Sequence, residues 1–234
     1  MKKFSLKTKS FILFPITLIF CFKILFTQIT YPTKNYVEVD PKAKEILDKI
    51  SEKNKNLNSA YVEFGIILEN KQNNTKDSQK GYLWLKKNKL KIDLANITIY
   101  SDGETQWTYN KNSKEITISY IDSSENNIFV LDKLLKLYEK NFKIRFIRER
   151  FEKNRALYEI ELYPKNLKET DFTKINLKID KDKMQIFSLK KFGKDGTDFY
   201  LELIKIIPNI NIQDSIITFD KNKYKDIEII DLRD

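Results

Sequence analysis

A chain of 234 residues with 43 Lys and Arg against 33 Asp and Glu carries a formal charge of +10, no histidine and one cysteine, Cys21. Without histidine the commonest general base and transition-metal ligand are absent, and a lone cysteine excludes an internal disulfide and a thiolate metal site. Residues 1–33 hold five lysines and no acid, which leaves +5 for the remainder, where Lys, Asp and Glu are interspersed as on a solvated surface and not gathered into a nucleic-acid stripe.

The N-terminus reads as an export segment. Lys2, Lys3, Lys7 and Lys9 precede the apolar run Phe11–Phe22, which Ile24-Leu25-Phe26 extends past Lys23. The 16 residues from Phe11 to Phe26 contain Pro15 and Lys23 and are short for a membrane span. Residues 1–27 are therefore assigned as a signal peptide, with an uncleaved N-terminal anchor as the alternative. Residues 28–39 follow as a flexible segment and 40–234 as one domain. A lipidated cysteine follows a small residue, whereas Phe20 precedes Cys21.

Asp40-Pro41 opens a predicted helix to about Asn54, with Asp40 as cap and Ala43, Ile46, Leu47 and Ile50 on one face. Alternating strands follow. Val62, Phe64, Ile66 and Leu68 share a side of Tyr61–Asn70, and Lys71–Lys80 reads as a polar loop. Leu83 and Leu85, then Leu90, Ile92 and Leu94, then Ile97 and Ile99 mark further short strands. Ser101-Asp102-Gly103 turns the chain, and Trp107, Tyr109, Ile116, Ile118 and Tyr120 are read as continuing the same apolar face. Asn127–Lys140 has helical spacing at Ile128, Leu131, Leu134, Leu135 and Tyr138. Strands resume over Phe142–Arg148, Ala156–Tyr163, Lys174–Asp180, Met184–Lys190 and Thr197–Ile206. Nearly ten short strands joined by tight turns predict a mainly β fold with a few helices: a strongly curved antiparallel sheet forming an incomplete, open β-barrel, its concave face covered by helices.

The wording of residues 81–110 carries a resemblance. Gly81-Tyr82-Leu83-Trp84-Leu85-Lys86, a bend, then Ser101-Asp102-Gly103-Glu104-Thr105-Gln106-Trp107-Thr108-Tyr109-Asn110 closely resembles the LolA family of periplasmic lipoprotein carriers. Ile217–Arg233 is similar to the ending of the Bacteroidetes-type branch, as is the Pro208-Asn209 turn after the strand pair Asp180–Ile206. The resemblance covers about residues 40–233. It implies a periplasmic chaperone that binds lipoprotein acyl chains in a hydrophobic cavity and carries them from the inner to the outer membrane. Its implied partners are acylated lipoproteins, an inner-membrane lipoprotein-releasing ABC complex and an outer-membrane acceptor, with no nucleic acid, and its implied state is a monomer.

On that reading the cavity wall and its lid comprise Phe64, Ile66, Leu83, Leu85, Leu94, Ile97, Ile99, Trp107, Tyr109, Ile118, Phe129, Leu131, Leu134 and Leu135. The family often has Arg-Pro after the Gly-x-Leu-x-Leu-Lys strand, and that arginine is implicated in holding a lid by hydrogen bonds to backbone. Lys87-Asn88 stand here, so Lys87 is the matching latch candidate, without the planar donor fork of arginine. The periodicity alone fits a filled core equally well. A membrane-anchored lipoprotein receptor or lipid-sensing envelope regulator on the same fold is the alternative, with a tether to the inner membrane if the N-terminus stays uncleaved. An enzyme built on Asp102 and Glu104 has no second carboxylate aimed at the same point, and turn carboxylates ordinarily satisfy backbone donors. No catalytic residue, metal or cofactor is expected.

Overall fold

The computed structural model describes residues 38–121 and 140–233. The predicted helix over Asn127–Lys140 lies outside them apart from Lys140.

Helix α1 spans Pro41–Lys55. One carboxylate oxygen of Asp40 accepts from the amides of Lys42 at 2.9 Å and Ala43 at 3.2 Å, so two donors that the helix leaves open are satisfied. Ala43, Ile46, Leu47 and Ile50 are buried, as the spacing predicts. Just before the helix, the Asp40 amide donates to Ile144 O and the Ile144 amide to Glu38 O, which ties the chain to a strand far along the sequence.

Twelve strands follow: β1 Ser59–Asn70, β2 Thr75–Lys86, β3 Lys89–Asp93, β4 Ile97–Ser101, β5 Thr105–Asn110, β6 Glu115–Tyr120, β7 Phe142–Glu152, β8 Arg155–Pro164, β9 Phe172–Asp180, β10 Gln185–Gly193, β11 Thr197–Pro208 and β12 Glu228–Asp231. They form one curved sheet in the order β12-β6-β5-β4-β3-β2-β1-β11-β10-β9-β8-β7. Two meanders, β1–β6 and β7–β11, are thus joined where β1 pairs with β11. Among the described strands every pairing is antiparallel except β12 on β6, and the isolated Val39–Ile144 bridge is parallel as well. The ends of the row, β12 and β7, do not pair with each other, so the barrel stays open. Register shifts at Glu63/Phe64, Phe146/Arg148, Ile186/Ser188 and Phe192/Gly193 mark bulges, which add local twist to long strands.

The predicted polar loop Lys71–Lys80 is shorter in the structure. β2 begins at Thr75, and its first half pairs with the end of β1 while its side chains stay wet on both faces. A ribbon solvated on both sides has no hydrophobic alternation to betray it in the sequence.

The face that carries α1, here the inner face, holds the main core. Val62, Phe64, Ile66, Ile92, Ile144, Ile160, Leu162, Ile175, Leu177, Leu189 and Leu201 pack there with the helix. After β11 the chain turns at Pro208-Asn209 and crosses to the outer face. There it forms the one-turn helix α2, Asp214–Ile217, and a strap that ends in β12.

Candidate functional site

Cross-strand register decides which predicted site residues meet. Leu83 pairs with Ile92, Ile92 with Ile99 and Ile99 with Thr108, so these four share the inner face. Leu85 lies one pair further along, between Ala60 and Leu90, and Ile97 pairs with Asn110 on the same side. Phe64 and Ile66 continue this face across β1 toward Leu203 and Leu201. Leu94 follows β3 and packs against the core. Leu83, Leu85, Leu90, Leu94, Ile97 and Ile99 are all only half-buried, whereas Ile160, Leu162 and Leu177 of the other meander are fully buried. α1 lies beside β7 and accounts for that difference. An apolar half-sheet therefore adjoins a well-packed one.

Trp107, Tyr109 and Ile118 were expected on that same wall, and the register places them on the opposite face. Tyr100 pairs with Trp107, Trp107 with Ile118 and Tyr109 with Ile116, all pointing outward. In the β4–β5 hairpin an odd-numbered residue faces an even-numbered one. Ile99 and Trp107 therefore cannot share a side, even though alternation runs without visible interruption through both strands. Phe129, Leu131, Leu134 and Leu135 lie outside the described residues.

The outward aromatics are occupied by the C-terminal strap. The Phe219 ring stacks on Trp107 at 5.4 Å and meets Tyr100 edge-on at 6.0 Å. Tyr224 packs against Tyr109 at 4.7 Å, and its hydroxyl hydrogen-bonds that of Tyr100 at 3.2 Å. Lys86 fastens the start of the strap, with Nζ donating to Ile212 O at 2.8 Å and to the Asp214 carboxylate at 2.6 Å. Lys87, the predicted latch, is exposed in the β2–β3 turn at φ 55°, and its amide donates to Asn58 O at 2.9 Å. The backbone-directed ammonium in this motif is thus that of Lys86, directed at the strap. Asn88 donates to Asp102 O at 2.5 Å and so ties the β2–β3 turn to the β4–β5 turn.

Asp102 is consumed by its own turn. Its carboxylate accepts from the amides of Glu104 at 3.0 Å and Thr105 at 2.8 Å. Burial opposes the charged form, but these donors outweigh it and hold the carboxyl below its ordinary range.

Several inner-face residues are missing from the predicted cavity wall, chiefly Leu90, Leu203, Ile206 and Phe199. The bulge at Glu63/Phe64 places Ile204 as an extra residue in β11, so Leu203 and Ile206 share a face despite a spacing that breaks alternation. The unbroken apolar run Leu203-Ile204 was the available signal. At the far end of this face a cleft of about 400 Å³ opens over Leu68 and Phe199, edged by Thr197 and by the Lys191–Asp171 ion pair at 2.8 Å.

Residues 55–231 match the family described as outer membrane lipoprotein carrier protein LolA. The chain belongs to the LolA family. Among curated proteins it is similar to an uncharacterized protein of Methanocaldococcus jannaschii, MJ0687, at 26% identity over 179 residues. That match covers 76% of this chain, which spans only 51% of the relative's length. Among solved structures an uncharacterized conserved protein from Thermus thermophilus shares the fold at TM-score 0.52, 12% identity, 81% coverage of this chain and 99% of that one. A putative outer membrane lipoprotein-sorting protein domain from Vibrio parahaemolyticus aligns at TM-score 0.44 and 11% identity, over 78% of this chain and 98% of its own. Among the described residues no helix is long and apolar enough to cross a membrane.

Proposed function

We propose that this LolA-family chain is an exported, periplasmic carrier that shelters lipoprotein acyl chains non-covalently on its inner face. The observation that carries the reading is the half-buried apolar surface of Leu83, Leu85, Leu90, Leu94, Ile97 and Ile99, contiguous with a packed core and free of charged side chains across these rows of β2–β4. Phe64 and Ile66 sit where that surface meets the core, and the cleft over Leu68 and Phe199 extends it toward the strand ends. Each acyl methylene taken from water contributes about 0.8 kcal/mol, so a chain of ordinary length supplies ample affinity without covalent chemistry. Release then needs only a site that prefers the same tails more strongly.

The test is native mass spectrometry of the protein with a triacylated lipoprotein, backed by titration with a fluorescent fatty acid. A one-to-one complex that the fatty acid displaces is the expected result. Failure to bind either ligand, with the fold intact by circular dichroism, sinks the reading. A chain found in the membrane fraction with its N-terminus uncleaved would favour a tethered receptor over a free carrier.

A further inference from the structure

Three cross-strand rows run over the inner face, and each changes chemistry at the same place. The first takes in Val62, Leu83, Ile92 and Ile99, then Thr108 and Thr117. The second takes in Leu85 and Leu90, then Ser101, Gln106 and Ser119. The third passes from Ile97 to Asn110 and Glu115. Up to β4 the rows are aliphatic apart from Ser101, whose hydroxyl accepts from the Gly103 amide in its own turn. On β5 and β6 every inner-facing side chain is polar, and all but Glu115 are uncharged. β12 then returns Ile230 opposite Thr117, so the polar strip is two strands wide.

A face of this sheet that simply meets water looks different. Charged residues make up 32% of the chain, and the outer face of β7–β10 carries ion pairs such as Arg148 on Glu159 at 2.7 Å and Lys178 on Glu152 at 2.8 Å. The strip holds no lysine or arginine, and its one charge, Glu115, stands at its end. The apolar side chains of the same two strands have gone to the outer face, where Trp107 and Tyr109 meet the strap and Ile116 is fully buried.

The hydrogen-bonding capacity of the strip is loosely spent. Gln106, Thr108, Thr117 and Ser119 are half-buried. Gln106 Nε2 donates to Thr108 Oγ1 at 3.3 Å and Thr117 Oγ1 to Glu115 Oε1 at 3.4 Å, both long for such bonds. Thr108 Oγ1 accepts in the first of these, which leaves its own proton to donate.

We infer that this strip is a second subsite beside the acyl surface, one that takes the uncharged ester and amide linkages at the head of an acylated peptide. The inference rests on the carrier reading, since the strip has a ligand only if the adjoining surface holds acyl chains. Neighbouring strands lie about 5 Å apart, so Thr108 stands one spacing beyond Ile99 and Thr117 two. Ester and amide carbonyls follow directly on acyl chains, and a tail lying on Leu90 and Ile99 brings them over β5 and β6. The hydroxyls and the Gln106 amide there replace the water that those carbonyls give up. A phosphate headgroup finds no cation along the rows of β2–β6 and meets Glu115 instead, with Glu228 beside it on β12. The same tails are thus accepted on an acylated peptide and disfavoured on an anionic phospholipid, a distinction that an apolar wall alone cannot make.

The experiment uses the full chain and three probes. Diphenylhexatriene is fluorescent and has no polar group. The second probe is an N-acetyl, diacylglyceryl-cysteinyl peptide amide without charged side chains, and the third is phosphatidylglycerol with the same two short acyl chains. Diphenylhexatriene binding and its displacement give all three affinities. Wild type should prefer the lipopeptide over phosphatidylglycerol by about tenfold or more. Thr108→Val with Thr117→Val keeps side-chain shape and β-branching. It should weaken the lipopeptide by about three- to tenfold and leave diphenylhexatriene within about twofold. Thr117→Lys should strengthen phosphatidylglycerol by about three- to tenfold, a gain that added salt removes. If the valine pair fails to fold, Thr117→Lys decides alone. A wild type that binds lipopeptide and phosphatidylglycerol equally overturns the inference and leaves the carrier reading standing. So does a valine pair that loses neither ligand, or loses lipopeptide and diphenylhexatriene alike, which would mark the threonines as structural. A wild type that binds none of the three probes overturns the carrier reading and the inference with it.

Discussion

Gly81→Ala tests how the inner face is built. Gly81 pairs with Phe64, and its side-chain direction points into the Phe64 ring. A methyl at Gly81 would stand 2.4 Å from two Phe64 ring carbons and 2.6 Å from Leu94 Cδ2, closer than any real contact. The ring must then leave its place in a packed core, at a cost of about 1–3 kcal/mol. Relief of the glycine's own entropic penalty returns about 0.5–1 kcal/mol. The net loss is about 1–2 kcal/mol, or a fall in Tm of roughly 2–8 °C for a domain of this size. Gly65→Ala meets only ordinary contact at 3.9 Å and should stabilise by a few tenths to about 1 kcal/mol. Urea denaturation of the two variants, at constant m-value, reads the contrast directly. In a Phe64→Leu background the Gly81→Ala penalty should shrink by about 0.5 kcal/mol or more, since the clashing ring is gone. Equal shifts for the two glycines, or an unchanged Gly81→Ala penalty without the ring, would refute the packing argument. On the carrier reading the same displacement intrudes on the proposed acyl surface, so fatty-acid affinity of Gly81→Ala should fall together with stability.

Ile99→Asp puts a carboxylate on the inner face and should weaken fatty-acid binding by about tenfold or more, while Trp107→Leu, on the outer face, should leave it within about twofold. Fluorescence titration distinguishes them, and equal losses would contradict the register. Phe219→Ala removes a ring stacked between Trp107 and Tyr224, and should cost about 1–3 kcal/mol and shift Trp107 emission to the red as the strap loosens. Lys87→Gly, at φ 55°, should stabilise by up to about 1 kcal/mol without changing fatty-acid affinity, and a loss of affinity would restore the latch role to this side chain. Below about pH 8, stability should depend on pH only at the acid end. Burial alone would raise Glu159, Glu161, Asp180 and Asp198, but their lysine, arginine, asparagine, tyrosine and backbone partners outweigh it and hold them below the ordinary 4.5 or 3.8. Carboxyls depressed by folding contribute fully above their unfolded values and lose that contribution as pH falls through the folded ones. Melting temperature should therefore stay level from about pH 6 to 8, where a chain with no histidine has no side chain of ordinary pKa to titrate, and drop below about pH 4. A transition near pH 6.5 would contradict this.

The sequence displayed α1 and most strands because each carries its signal locally: Asp40-Pro41 and the Ala43–Ile50 spacing for the helix, alternation for β1 and β3. What it could not display was phase between strands. The odd-to-even register of the β4–β5 hairpin is set by the Asp102–Glu104 connection, and a run such as Ile97-x-Ile99 then Trp107-x-Tyr109 reads the same in either phase. Bulges hide phase within a strand too, as Ile204 does for Leu203 and Ile206. The first half of β2 was illegible for a different reason, because side chains wet on both faces leave no pattern although the backbone pairs fully.

The segment whose wording resembles the family, residues 81–110, is largely fold-making. Gly81 yields its side-chain space to Phe64, and Lys86 fastens the strap through Ile212 O and Asp214. The Ser101 hydroxyl accepts from the Gly103 amide, and Asp102 accepts from Glu104 and Thr105. Gly103 supplies φ 103°, which a side chain would rarely adopt, and Asn110 accepts from Asn112 and Ser113 to close the next turn. Trp107 and Tyr109 receive Phe219 and Tyr224 of the strap. Of the motif's apolar side chains only Leu83 and Leu85 remain on the inner face. The motif therefore fixes the shape and orientation of the half-sheet, and on the carrier reading proposed above acyl-chain preference is expected elsewhere on that face, at Leu90, Leu94, Ile97 and Ile99 and at the Leu68–Phe199 cleft. Exchanging inner-face side chains at those positions between family members, with the motif left intact, should move acyl-chain preference without moving the fold, whereas exchanging the motif should move neither.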